Sequence, residues 1–118
     1  MTIAGQRTID GRLNIWIDGR RLTPQRSQKL WNHSPDGFEC GYEGSGPAQL
    51  ALAILLAAGV SDDAAVTLHQ PFKREFVARW QPSFSINLDV RTWAARRLRH
   101  ARRGLSRYDA PIPPASQE

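Results

Sequence analysis

At 118 residues the chain is long enough for one packed domain that buries roughly two thirds of its unfolded surface. Its single cysteine, Cys40, excludes an internal disulfide and a cysteine-based zinc centre. The formal net charge of +5 is uneven: seven arginines and no acidic residue fall between 91 and 107, leaving nine basic against eleven acidic residues elsewhere. No N-terminal run joins a basic region to an apolar stretch of signal-peptide length, so a cytoplasmic protein without membrane contact is expected.

The first forty residues read as antiparallel strands. Arg7-Thr8-Ile9 leads into Asp10-Gly11, and Leu13, Ile15 and Ile17 alternate with polar or outward positions before Asp18-Gly19. Asp-Gly between such runs predicts tight two-residue hairpins, because both central positions favour positive φ. Thr23 to Gln28, with Pro24, reads as a loop, and Lys29 to Asn32 as a short strand. Ser34-Pro35-Asp36-Gly37 is a turn, proline being preset for its second position. Phe38, Cys40 and Tyr42 alternate after it and predict one face of a further strand.

The run from Pro47 to Ala58 is apolar or small at every position except Gln49. Alanine and leucine are the strongest helix formers, proline suits the first helical position, and Gly59 supplies a C-terminal stop. A helix that is apolar all round is a buried one, so 47–58 is the expected core helix. Gln49 is expected to hydrogen-bond a buried backbone group near the turn 41–46. Ser61 then caps a second helix running to about Trp80, with Ala65, Leu68, Phe72, Phe76 and Trp80 on one stripe. Pro71 should kink or divide it. Phe84 and Ile86 read as a short extended piece. Asn87 is the expected cap of a third helix, about Leu88 to Arg103, with Val90, Trp93, Ala94, Leu98 and Ala101 facing the core. The whole predicts an α+β domain over 1–107, a small antiparallel sheet packed on the buried helix with two further C-terminal helices. A disordered proline-rich tail is expected over 108–118.

The run Gly41-Tyr42-Glu43-Gly44-Ser45-Gly46-Pro47-Ala48-Gln49-Leu50-Ala51-Leu52, with Phe72-Lys73-Arg74-Glu75 further on, resembles a family of small uncharacterised domains found in bacteria and in phage and plasmid genomes. That family's hallmark is a Gly-Tyr-Gly-Gly-Ser-Gly-Pro turn followed by a Gln-Leu-Ala-Leu helix, and the likeness covers about 8–93. It implies the same fold and a mobile-element setting, and no activity. Glu43 stands where the family usually has glycine, Cys40 where it has tryptophan, and Pro71 interrupts the second helix.

Little in the chain points to catalysis. Gly44-Ser45-Gly46 opens a helix, but no Gly-Lys-Ser/Thr follows, so the glycines are read as a tight strand-to-helix turn. Cys40 is in phase with core residues and reads as packing, not as a nucleophile served by His33. His33, His69 and His100 lack any metal-ligand spacing. A non-enzymatic protein without metal or cofactor is therefore expected. The arginine-rich helix carries the functional signal. Arg96, Arg99 and Arg103 recur on one face, with Arg97 and Arg102 at its edges, and a one-sign face of this kind favours phosphate backbones or an acidic protein surface. The expected role is an accessory or regulatory protein of a mobile element, binding nucleic acid or a nucleoprotein complex through these five arginines. The alternative is a protein-directed inhibitor of a host defence nuclease complex, an anti-CRISPR-like activity.

Overall fold

The computed structural model describes the backbone of residues 1–109 and the side chains of residues 1–101. Strands β1 (Thr2–Arg7), β2 (Leu13–Ile17) and β3 (Arg20–Leu22) form a meander. Helices α1 (Gln25–Leu30), α2 (Ser45–Ala57) and α3 (Asp62–Glu75) follow, then a single 3-10 turn at Val77–Arg79. Strand β4 (Phe84–Asn87) returns to the sheet before the last helix, α4 (Val90–Asp109). The four-stranded sheet has the order β3-β2-β1-β4 with every pair antiparallel. This is the expected α+β architecture.

The two Asp-Gly turns differ. At Asp18-Gly19 both residues have positive φ, 49° and 82°, which is the two-residue hairpin the sequence predicts. At Asp10-Gly11 only the glycine does, with φ 88°. The chain there makes a wider loop, in which Gly11 N–H donates to Thr8 O and Thr8 N–H to Arg12 O. Thr8 and Ile9 consequently leave the strand, and Ile9 stands fully exposed at the loop tip.

Helix α2 is the centre of the molecule. Every residue from Gly46 to Leu56 is buried. Ile3, Leu13 and Ile15 from the inner sheet face, Leu68 and Phe72 from α3, Val77, and Val90 and Ala94 from α4 join its apolar side chains in one core. Helix α2 ends on Gly59, and Ser61 accepts from Ala64 N–H to cap α3. Pro71 does not divide α3, which runs as one helix from Asp62 to Glu75. Leu68 and Phe72 on either side of it are buried, and their packing holds the helix across a missing hydrogen bond that in an exposed helix would cost about 3 kcal/mol. The break comes at Phe76 instead.

Other local expectations are corrected. Residues 25–30 are helical, not loop and strand, because Pro24 sits helically at the start and Ser27 points its hydroxyl inward to Pro24 O. Residues 38–42 are not a strand. Phe38 and Cys40 are buried as predicted, but Tyr42 is half exposed and the segment joins no strand, its Gly41 N–H donating instead to Val77 O. Asp89, not Asn87, caps α4, its carboxylate accepting from the N–H and hydroxyl of Thr92. Ala101 is exposed, because α4 runs past the body it packs on and continues to Asp109. The expected tail thus begins inside α4 and otherwise lies outside the described residues.

Candidate functional site

The arginines of α4 lie on a helix anchored by its other face. Val90 and Ala94 are buried, and the Trp93 ring meets Phe72 and Phe76 edge-on at centroid distances of 5.1 and 5.8 Å. Trp93 Nε1–H also donates to Glu75 at 3.2 Å. Arg91, Arg96 and Arg99 are exposed, and none pairs with an acid among the described residues. Arg97 is different. Its guanidinium lies 5.6 Å from the Trp93 ring and 4.0 Å from Glu75, so it is drawn back against the domain. The structure therefore brings Arg96 and Arg99 together as a free cationic face and sets Arg97 beside it. Arg102 and Arg103 fall within α4, and their side chains lie outside the described residues.

Sequence spacing missed a second cluster, built on Gln49. This amide is completely buried on α2. Its oxygen accepts from His33 N–H at 2.7 Å and Ser34 N–H at 3.0 Å. Its nitrogen donates to Ser27 Oγ at 2.9 Å and Trp31 O at 3.1 Å. Gln49 is thus a structural tie, as predicted, but to residues 27–34 and not to the turn 41–46. The loop it holds places His33 against α3, where His33 Nε2 lies 2.9 Å from Nε2 of the buried His69. His69 Nδ1–H donates to Val66 O at 2.6 Å, so the network assigns the shared proton to His33. Trp31 stacks on the His33 ring at 4.4 Å.

Burial holds the His33 imidazole below its ordinary range, with the charges of His69 and Lys73 adding to this. Burial and Lys73 do the same to His69, against the opposing effect of its backbone hydrogen bonds. The pair is therefore neutral near pH 7. Two imidazoles could relay a proton or supply part of a metal shell, but no group of three or more His, Cys, Asp or Glu forms around them among the described residues. Their separation of 36 residues hides them from any motif search. The one available signal was Gln49, the lone polar residue of a buried helix.

Cys40 is buried, its thiol pushed up by burial and 3.7 Å from Gln81 O. Neither His33 nor His69 appears among its hydrogen-bond partners. At the glycine turn, Gly46 packs against Glu39, where a Cβ would lie only 2.7 Å from Glu39 Cβ. That contact explains the glycine by packing. Arg7 clasps Glu39 with two hydrogen bonds, of 2.7 and 3.1 Å, and so closes the segment onto the first hairpin.

An antiparallel sheet over a helix buried from Gly46 to Leu56, with a glycine turn tied at Glu39 and a Gln49 hub, defines a small α+β module. The chain belongs to the family of unknown function DUF6166, whose model matches residues 3–96. No curated protein and no solved structure matches it.

Proposed function

We propose that this protein is a non-enzymatic accessory protein that binds an acidic partner, nucleic acid or a nucleoprotein complex, through the outward face of α4. The observation that carries this reading is the pairing of two facts about one helix. Trp93, Val90 and Ala94 fix its inner side, while Arg91, Arg96 and Arg99 stand in solvent and form no salt bridge among the described residues. Solvated helices ordinarily interleave both signs, and a single-sign face raises the local potential for phosphate. The family match ends at residue 96, so most of this basic segment belongs to the chain and not to the shared module. A mobile-element setting and a cytoplasmic location complete the proposal, the former resting on the resemblance at residues 41–52. No helix among the described residues is long and apolar enough to cross a membrane.

The test is a competition experiment on the intact chain. Wild type and Arg96→Gln/Arg99→Gln/Arg103→Gln are titrated against a labelled 20-mer duplex, with unlabelled DNA and polyglutamate as competitors. Loss of binding in the folded triple variant, with DNA competing better than polyglutamate, supports the reading. Equal binding by both proteins refutes it. A partner competed only by polyglutamate moves the function to an acidic protein surface, as an inhibitor of a defence nuclease would require.

A further inference from the structure

The outer face of the sheet carries a second surface, independent of α4. Alternation buries Ile3 and Ile15 and turns Ala4 and Trp16 outward, and the Asp18-Gly19 hairpin sets Arg21 opposite Trp16. One row across all four strands is therefore Arg21, Trp16, Ala4 and Ser85. Trp16 is half-buried and takes no part in the core cluster. On one side Arg21 backs it, with the guanidinium carbon 5.6 Å from the ring centroid and a hydrogen bond to Asn14 holding the arginine in place. On the other side Ala4 and Ser85 are too small to cover the ring. They leave an open depression of about 520 Å³ lined also by Gln6 and Ser83.

We infer that this face is a stacking platform for single-stranded nucleic acid, with Trp16 as the ring on which a base lies and Arg21 as its cationic backing. An aromatic ring on an uncovered four-stranded sheet suits an unpaired base, whose face is free, and not a duplex, whose faces are already stacked. The charges agree. Arg21, on the same face as Trp16, has no acidic partner among the described residues. The nearby acids are occupied, Asp18 accepting from Thr2 N–H and Asp10 holding Thr8 and Arg12. Gln6, Asn14, Ser83 and Ser85 around the ring supply donors and acceptors for base edges and sugars.

The test uses the full isotope-labelled chain with eight-nucleotide oligothymidine and oligouridine, followed by nuclear magnetic resonance. The Trp16 indole signal, assigned with Trp16→Phe, should move on addition of either strand, together with the amides of Ala4 and Ser85. In anisotropy titrations Trp16→Ala should bind about ten-fold more weakly, the scale of one lost base stack. Ser85→Glu, which places a carboxylate over the depression at an exposed position, should weaken binding comparably and serves if Trp16→Ala does not fold. The Trp16 shift should persist in the Arg96/Arg99/Arg103 triple variant, so the sheet and helix readings fail separately. A Trp16 signal unmoved by saturating strand, unchanged affinity in folded Ser85→Glu, or an equal shift with polyglutamate overturns the inference.

Discussion

Replacing Gln49 with leucine removes the four hydrogen bonds by which one buried amide holds residues 27–34. Leucine has similar volume and would fit an apolar helix, so a composition argument predicts a neutral or stabilising change. The geometry predicts the reverse. The substitution strands the His33 and Ser34 N–H groups and the Trp31 carbonyl, of which water can reach some because the loop is partly exposed. At about 0.5–1.5 kcal/mol net for each bond, offset by the added apolar side chain, the loss is about 2–4 kcal/mol. For a domain of this size that corresponds to a fall in melting temperature of about 8–16 °C. Urea denaturation followed by tryptophan fluorescence gives the free energy, and the His33 and His69 imidazole resonances report whether the loop has left α3. A melting temperature equal to or above wild type would refute the reasoning.

The histidine pair makes stability depend on pH in a defined direction. Both imidazoles titrate below the ordinary value of 6.5 in the folded state, so between that value and their folded values the unfolded chain binds more protons. Folding free energy should be level above about pH 7 and fall as pH drops below about 6.5, and His69→Gln should flatten that fall; urea titrations from pH 8 to 5 measure it. Cys40 is buried with its thiol pushed up, so a thiol reagent should label native protein slowly and denatured protein at once. Labelling of the native state at the denatured rate would contradict the packing role.

The parts of the fold legible in the sequence are those whose signal is local. The Gly-Pro start, the apolar run interrupted only by Gln49, and Gly59 define α2 without reference to anything distant, and Ser61 does the same for the start of α3. Asp18-Gly19 forms its turn from its own two residues. Helix α1 was not legible because its polar sequence has weak periodicity, and its buried Ser27 makes sense only once Gln49 lies beside it. The alternation of Phe38, Cys40 and Tyr42 suggested a strand, yet a strand needs a pairing partner, and this segment gives its Gly41 N–H to Val77 O in the 3-10 turn and joins no strand of the sheet. His33 and His69 meet only through tertiary packing, so no spacing rule could pair them. The Trp16–Arg21 row was within reach, since β-alternation and the Asp18-Gly19 hairpin together determine it.

The central claim is that α4 is an electrostatic binding element, and the salt dependence of nucleic-acid affinity tests it most directly. If about three to five phosphates are neutralised, log affinity for a duplex should fall against log salt with a slope of about −3 to −5. Arg96→Gln/Arg99→Gln/Arg103→Gln should flatten that slope by about three while leaving the melting temperature unchanged. A triple variant with the wild-type slope and affinity at about 150 mM salt would show that these arginines are only a solvated face.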